Sequence, residues 1–384
     1  MKNIRKQLTG NSYIRIFRIF PLLVGWLISR FMYKGKQTII LVGSNRGISY
    51  TDNGKAMHQY LLRNQPELKT YWISNKKNKE FYDFDTVTLG SIRSYILYFR
   101  AKVVFYTHSN SSDIAPLVGH FDFFKQPKKI FISHGIEGLK KRLNVKLEDA
   151  DVYTCASEKE KAIKNKLWNI PNEKLVVTGV ARYDRLFDFK DNFYSKQIQK
   201  VAYIPTWREW DLISEEKDFK KSRTYKEISD FMKDKQLERF LSENNLILLV
   251  KLHPFFEKFS KDLKNSQSEH VQITTTSIDD LIIKCAMLIT DYSSICWDFF
   301  YQKKPVYFYQ FDYIKFNKAR GSYFEISDFI PSNCISSTKE NIYENLTKTF
   351  KEVDEQSKLE KFLPPFDNKN CERIFNSAWE SAAK

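Results

Sequence analysis

The chain has 384 residues, of which 42% are hydrophobic, 15% aromatic and 28% charged. This composition excludes an intrinsically disordered protein, and at roughly 150 residues per domain the length predicts two domains. Lysine and arginine number 62 against 46 acidic residues, and the resulting net charge of +16 excludes an acidic protein and favours an anionic partner.

Residues 1–36 form a basic, aromatic-rich segment at the N-terminus. Its longest uncharged stretch, 19–29, is too short for a helix that crosses a bilayer, which needs about 20 apolar residues, and arginines crowd it too closely for a signal peptide. We expect the segment to lie peripherally on the anionic cytoplasmic face of the membrane, with its rings among the lipid headgroups. These rings are Phe17, Phe20, Trp26 and Phe31. The alternative is a helix docked on the protein's own core.

Short apolar and β-branched runs, bounded by Gly, Pro, Ser or Asp, predict buried strands. The runs are 38–42, 102–106, 129–132, 152–155, 175–177, 201–204, 246–250, 287–289 and 306–309. Helical patterns occur at 91–99, 158–167, 227–241, 277–284, 294–302, 338–351 and 370–382. The alternation of strands and helices predicts α/β architecture with parallel sheets. Two sheets fit the length, with a break between residues 187 and 200, where apolar periodicity lapses.

Polar residues cluster at the predicted carboxyl ends of these strands, where open α/β sheets bind their ligands. The cluster comprises His134, Arg182, Asp184, Thr206, Arg208, His253, Asp291, Ser293, Ser294 and Asp312. One such placement means little, because loops are polar by default. Its repetition with histidine, arginine and hydroxyl side chains predicts a cleft that binds an anion.

Two positions in this set predict particular chemistry. His134 is the candidate general base, because histidine titrates near neutral pH and Gly135 frees the backbone beside it. Ser293 or Ser294 is expected to bind phosphate at a helix start, where free N–H groups and the helix dipole attract anions. The alternative for the serines is that they only cap the helix at 294–302.

The remaining histidines divide into two groups. Lys251 and His253 alternate onto one side of a strand, where paired cations could neutralise a leaving phosphate, or they form only a basic strand edge. The other histidines are expected to be ordinary surface or core residues. They are His58, His108, His120 and His270.

Several chemistries are disfavoured because their motifs are missing from the sequence. There is no P-loop, G-x-G-x-x-G, G-x-S-x-G or H-E-x-x-H motif, and with 12 glycines in all the chain does not hold phosphate through a glycine-rich loop. The five scattered cysteines argue against a disulfide scaffold or a zinc site and fit a reducing cytosol. No carboxylate cluster predicts an obligatory metal, although a divalent cation could accompany a diphosphate.

Five motifs occur in a fixed order over roughly residues 38–330. They are SHGIEGLKKR (133–142), TGVARYDRL (178–186), YIPTWRE (203–209), KLHP (251–254) and TDYSSICWDFFYQKKPVYFYQFD (290–312). The set resembles the CDP-glycerol glycerophosphotransferases of teichoic-acid and capsule synthesis. SNRGISYTDNGKAMHQYL (44–61) also resembles the entry to the first helix in this family.

The resemblance implies a GT-B-like fold, in which an N-terminal Rossmann-like acceptor domain (37–190) faces a C-terminal CDP-donor domain with the terminal helices (191–384). It implies transfer of glycerol phosphate or ribitol phosphate from a CDP-polyol to a hydroxyl of a lipid-linked saccharide or polyol-phosphate acceptor, with release of CMP. An alternative is a GT-B glycosyltransferase that uses a nucleotide sugar. A nucleic-acid partner is disfavoured, because the basic residues are spread along the chain.

The resemblance also implies roles for single residues. It assigns the general base to His134 and a contact with the donor phosphates to His253. It places the donor at Thr206, Arg208, Asp291, Ser293 and Ser294, to which the strand-end residues Arg182, Asp184, Lys251 and Asp312 are added as expected donor contacts. The family usually follows His-Gly with Thr-Pro and Lys, whereas Ile136 and Glu137 stand here, which leaves Lys140 as the basic residue expected at the acceptor or phosphate.

Overall fold

The structure is a computed structural model. It describes residues 12–31, 37–75, 82–121, 123–141, 150–189, 200–211, 220–253, 263–348 and 359–380. Parts of the predicted membrane-surface segment (1–11 and 32–36), the predicted domain boundary (190–199) and the motif residues Arg142 and Pro254 lie outside these ranges.

The strands form two parallel sheets. Their bounds are β1 Ile39–Gly43, β2 Lys69–Ser74, β3 Thr86–Thr88, β4 Val103–Tyr106, β5 Lys128–Phe131, β6 Val152–Cys155, β7 Leu175–Val177, β8 Lys200–Ile204, β9 Ile247–Val250, β10 Val271–Ile273, β11 Met287–Thr290, β12 Val306–Tyr309 and β13 Ile335–Ser336. Over the described ranges the first sheet has the order β3-β2-β1-β4-β5-β6-β7 and the second β10-β9-β8-β11-β12-β13. All of these pairings are parallel. The predicted α/β architecture with two Rossmann-like sheets is therefore confirmed.

Helices connect the strands on both faces of each sheet. Their bounds are α1 Ser12–Phe31, α2 Asp52–Asn64, α3 Ile92–Arg100, α4 Asn110–Asp113, α5 Glu158–Trp168, α6 Tyr183–Asp188, α7 Arg223–Met232, α8 Lys235–Glu243, α9 Ile278–Lys284, α10 Cys296–Tyr301, α11 Tyr313–Ala319, α12 Lys339–Lys348 and α13 Asn370–Glu380. The prediction of a single helix at 227–241 is wrong, because the structure has two helices, α7 and α8, in this region. Asp234 ends the first and caps the second, since its side chain accepts hydrogen bonds from the N–H groups of Gln236 and Leu237.

The apolar-run pattern predicted each strand that is buried on both sides, within one or two residues. It missed β2, β3, β10 and β13, which lie at or beside the sheet edges and alternate buried with partly exposed residues. A strand with partly exposed residues lacks the continuous apolar run that identifies a central parallel strand, although the edge strand β7 was predicted from its own apolar run.

The C-terminal helix α13 packs on the first sheet. Ile374 and Phe375 belong to the core cluster that contains Ile40 of β1 and Met57 of α2. The assignment of all terminal helices to the second domain (191–384) is therefore corrected for α13. Its apolar face covers one side of the first sheet, so the end of the chain returns to the N-terminal domain.

Helix α1 docks on the first domain through one of its faces. Leu22 is fully buried, and a Cβ on Gly25 would lie 2.6 Å from the Tyr95 Cβ of α3. Trp26 contacts Phe124, with ring centroids 5.5 Å apart. Trp26, expected among lipid headgroups, therefore packs on the protein. Within the described ranges, no helix combines the length and apolar character that crossing a membrane requires.

Candidate active site

The loop after β5 carries His134 and is held from several sides. Ser133 has a left-handed backbone with φ +53°, a strained conformation that often occurs at functional turns. The Ser133 carbonyl accepts a hydrogen bond from Asn53 Nδ2 at 3.0 Å. Further along the loop, the Glu137 N–H donates to Glu160 Oε1 at 3.0 Å. These contacts fix the backbone on both sides of His134.

Two glycines allow this loop to approach the second domain. A Cβ on Gly135 would lie 3.1 Å from Ser294 Oγ, and a Cβ on Gly138 would lie 2.0 Å from Phe324 Cε1. The left-handed backbone at this turn belongs to Ser133, so Gly135 serves close approach rather than the backbone freedom that the sequence suggested. The backbone next to His134 consequently lies against Ser294 of the second domain.

Arg182 links the loop to both domains. Its Nε and Nη2 donate to the two carboxylate oxygens of Asp298 at 2.6 and 2.7 Å. Its Nη1 donates to Asp52 Oδ1 at 2.7 Å and to the His134 carbonyl at 2.9 Å. The adjacent ion pairs hold the pKa of Arg182 well above its usual value despite burial. One guanidinium therefore fixes α2, the His134 loop and α10 relative to one another.

Arg208 forms an equivalent set of hydrogen bonds in the second domain. Its Nε and Nη2 donate to Asp312 at 2.7 and 2.9 Å. Its Nη1 donates to Asp291 Oδ2 and to the Thr206 carbonyl, both at 2.7 Å. The side chain of Arg208 has no exposed surface. Because the Thr206 N–H also donates to Asp291, this cluster fastens the loop after β8 to the loop after β11.

Four of the residues predicted to contact the donor form ion pairs with other residues of the protein. Arg182, Arg208, Asp291 and Asp312 direct their charged groups at one another and at backbone groups, with most of each guanidinium fork already occupied. A buried arginine in a bidentate carboxylate pair satisfies its charge internally. These residues therefore hold the site loops in place, and their contact with a donor stays a prediction.

Asp184, also predicted to contact the donor, binds the start of the C-terminal helix. Its carboxylate accepts hydrogen bonds from the N–H groups of Asn370 at 2.7 Å and Cys371 at 2.9 Å. These groups are the unsatisfied donors at the start of α13. Asp184 thus fastens the returning C-terminal helix to the first domain.

The 293–294 segment offers donors for an anion. The turn before α10 is closed by a hydrogen bond from the Cys296 N–H to the Ser293 carbonyl at 3.2 Å, so the helix begins two residues later than predicted. Ser293 Oγ accepts only a long contact, 3.5 Å, from the Ile295 N–H. Within the described part of the chain, the N–H groups of Ser293 and Ser294 and the Ser294 hydroxyl donate to no protein acceptor.

Lys140 and His253 lie on the two sides of the same cleft. Burial, reinforced by the nearby Lys140 cation, lowers the pKa of His253 to about 4. Burial also lowers the pKa of Lys140 to about 8, helped by Arg320 and opposed by Asp291. Among the described residues, Lys140 has no hydrogen-bond or ion-pair partner. At neutral pH the cleft of the free protein therefore contains a cationic Lys140 beside a neutral His253, where a cationic pair of Lys251 and His253 was expected.

Lys251 and Thr206 are the two remaining residues predicted to contact the donor. Lys251 Nζ donates to the Thr275 carbonyl at 3.4 Å, toward the end of β10. His253 instead lies beside Trp207, with ring centroids 5.8 Å apart. The Thr206 Oγ1 is buried without a hydrogen-bond partner in the described part of the chain, which leaves a polar atom available beside the cleft.

Four functional residues escaped the sequence reasoning. Asn53, Asp52 and Asp298 belong to motifs that were recognised, but nothing in one sequence indicates that Arg182 binds two carboxylates 130 and 116 residues away. Asp52 has a left-handed backbone, φ +65°, and burial raises its pKa to about 6 although Arg182 opposes the shift. His108, expected to be an ordinary residue, stacks on His134 with ring centroids 4.9 Å apart.

The site shows no arrangement typical of a metal centre. Within the described ranges, no group of three or more His, Cys, Asp or Glu side chains converges as ligands. The acidic residues near the cleft, Asp52, Asp291 and Asp298, are paired with arginines.

Two parallel Rossmann-like sheets define a GT-B-like α/β protein. The structure superimposes over its full length on the wall teichoic acid polymerase TagF, with a TM-score of 0.67 at 17% identity and coverage of 100% of this chain and 99% of that one. The chain belongs to the family described as CDP-glycerol:poly(glycerophosphate) glycerophosphotransferase, which it matches over residues 27–380.

Two curated relatives fit this assignment. The minor teichoic acid biosynthesis protein GgaB of Bacillus subtilis is 24% identical over 98% of this chain, which spans only 42% of that relative. The teichoic acid glycerol-phosphate transferase of Staphylococcus aureus is 23% identical, and the similarity covers 92% of this chain and 91% of the relative.

The Arg182 cluster predicts a large effect on stability. Arg182→Ala leaves Asp298 buried without its counter-charge, so we expect the free energy of unfolding to fall by about 3–5 kcal/mol. Arg185→Ala is the matched control, because Arg185, three residues along, is 36% exposed and forms longer ion pairs with Asp279 and Asp280, contacts that contribute about 1 kcal/mol or less. Denaturant unfolding measures both variants. Equal losses for the two would contradict the role given to Arg182.

Proposed function

We propose that the protein transfers glycerol phosphate or ribitol phosphate from a CDP-polyol to a hydroxyl of a lipid-linked saccharide or polyol-phosphate acceptor, with release of CMP in teichoic-acid or capsular polymer synthesis. The observation that carries this proposal is the meeting of His134 with the 293–294 segment. The Gly135 backbone abuts Ser294, so a base and a set of unoccupied anion donors share one cleft. A TagF structure soaked with CDPG supports CDP-glycerol as a donor.

In the proposed reaction the acceptor hydroxyl attacks the phosphorus that carries the polyol, in line with the CMP leaving group. His134 removes the hydroxyl proton during attack, a contribution of about 10²–10⁴ in rate for a positioned base. Lys140 and the N–H groups at Ser293 and Ser294 stabilise negative charge on the two phosphates. His253 is neutral in the free protein at pH 7, so it contributes a hydrogen bond to the donor phosphate.

The competing proposal is a GT-B enzyme that transfers a sugar from a nucleotide sugar. It shares the fold but reacts at carbon, so nothing in its chemistry requires a polyol phosphate. Incubating the protein with CDP-glycerol, CDP-ribitol or UDP-sugars and an acceptor, and identifying the nucleotide released, separates the two. Release of CMP with a polyol phosphate added to the acceptor supports the proposal, and release of UDP supports the competitor. The proposal includes no obligatory cofactor, and a divalent cation on the donor diphosphate is compatible with it.

The exposed face of α1 leads us to propose a peripheral position on the cytoplasmic face of the membrane. Four apolar residues of α1 follow one another at intervals of three or four positions and are exposed. They are Phe20 (59%), Leu23 (45%), Leu27 (51%) and Phe31 (83%). This spacing places them on one side of a helix, while the opposite side packs on α3. A helix with one apolar face and basic residues can insert that face among lipid headgroups.

Loss of the base should abolish most of the activity. His134→Ala is expected to lower turnover by a factor of about 100 or more, while the fold persists, because His134 is exposed and its backbone carbonyl keeps the hydrogen bond from Arg182. CMP release measures the rate, and the unfolding midpoint checks the fold. A folded variant that transfers polyol phosphate at a near-normal rate would remove His134 from the mechanism.

The lowered pKa of Lys140 predicts an alkaline limit to donor use. Its ammonium is charged below pH about 8 and neutral above, so kcat/KM for the donor should fall as the pH rises through about 8. Lys140→Arg keeps its charge at every pH used and should abolish this decline, because an arginine does not titrate there. Lys141→Arg, one residue along, should leave it unchanged. An alkaline decline that persists in Lys140→Arg would contradict the assignment.

The membrane proposal predicts a surface-specific loss of lipid binding. Leu23→Glu with Leu27→Glu should weaken co-sedimentation with vesicles that contain anionic lipid by at least about tenfold, because each buried leucine contributes about 1.5–3 kcal/mol. Leu167→Glu is the control, since Leu167 is 50% exposed on another helix. Equal binding by the two proteins would exclude this face of α1 as the membrane contact.

A further inference from the structure

A second histidine stands beside the proposed base. His108 follows β4, and its ring lies parallel to the ring of His134, with an angle of 7° between the planes and centroids 4.9 Å apart. The two residues come from neighbouring parallel strands, β4 and β5, whose carboxyl ends lie side by side. The side chain of His108 is 35% exposed and His134 is exposed as well. The pair therefore stands in the cleft and is not part of the apolar core.

The ring of His108 is held from behind by Asp113. This carboxylate is fully buried and lies 3.6 Å from His108 Nδ1, and Thr107 Oγ1 lies 2.9 Å from the same nitrogen. Asp113 in turn accepts hydrogen bonds from the N–H groups of Arg46, Thr107 and His108 at 3.0, 3.0 and 2.8 Å. Burial opposes its ionisation, but the contacts with His108 and these N–H groups keep the pKa of Asp113 below its usual value. The buried Asp113 carboxylate thus orients the imidazole of His108.

We propose that His108 is a positioning residue for His134. Its anchored ring stacks on the imidazole of His134 and holds that imidazole in the orientation in which it takes the proton of the acceptor hydroxyl. The inference rests on the proposed function, because it acts through the base. Proton transfer depends on the alignment of the base, and a misplacement of about 1 Å can cost on the order of 10² in rate.

The kinetic test separates stacking from other roles of the ring. His108→Ala removes the stacking surface and should lower kcat by about 10–100-fold with little change in KM for the donor. His108→Phe restores an aromatic face without the ring nitrogens and should recover part of the loss. His120→Ala is the matched control, because His120 is an exposed histidine on the same domain that is not part of the stack.

A double-mutant cycle tests whether His108 acts through His134. In a His134→Ala background, His108→Ala should cost nothing further, because the group that it positions is already absent. If His108→Ala lowers the rate by the same factor in both backgrounds, His108 acts on its own and the inference is overturned. A normal kcat for His108→Ala in the otherwise unaltered chain overturns it as well.

A readout without substrate distinguishes failure of the inference from failure of the proposed function. The chain contains six histidines, so the ring signals of a ¹³C-histidine-labelled sample can be assigned by single substitutions. Removal of the stacked ring in His108→Ala should shift the His134 ring signals, and His120→Ala should not shift them. Unshifted His134 signals overturn the inference even if polyol transfer is normal. If the His134 signals shift but the protein shows no polyol-phosphate transfer, the positioning of His134 is supported and only the proposed reaction is contradicted.

Discussion

Two buried arginines set the geometry on which the cleft depends. Arg182 and Arg208 each bind one aspartate with both arms of the guanidinium, a second aspartate with one nitrogen, and a backbone carbonyl of a site loop. The bidentate partners lie 116 and 104 residues away along the chain. A guanidinium excluded from water must keep its carboxylates close. The neutralisation of buried charge therefore also fixes the loops at the strand ends.

This arrangement explains how the site dispenses with a glycine-rich phosphate loop. Glycine is used where the loop touches the other domain, at Gly135 and Gly138, and rigidity comes from the arginine clusters. Those arginines are satisfied internally, whereas Lys140, whose pKa is lowered to about 8, has no ion-pair partner in the described part of the chain. Such a cleft fits a diphosphate that must be bound firmly and then released as a monophosphate.

The sequence predicted the parts of the molecule that local pattern determines. Continuous apolar runs identified the central strands, and the strand ends identified the loops that form the cleft, including His134, Lys140 and Ser294. Pattern could not assign partners. Arg182 and Asp184 lie two residues apart after the same strand, yet one fixes the cleft and the other caps α13. His108 has no distinguishing neighbour in the sequence, and only the pairing of β4 with β5 brings it to His134.

The central prediction is that the donor diphosphate binds between His134 and the 293–294 segment. A crystal structure with bound CDP-glycerol tests this binding position most directly. We expect the two phosphates to accept hydrogen bonds from the N–H groups of Ser293 and Ser294 and a contact from Lys140. The phosphorus that carries the polyol should face His134, separated from it by the space of one acceptor hydroxyl. A donor bound with its phosphates on the far side of the second sheet, out of reach of His134, would contradict the account.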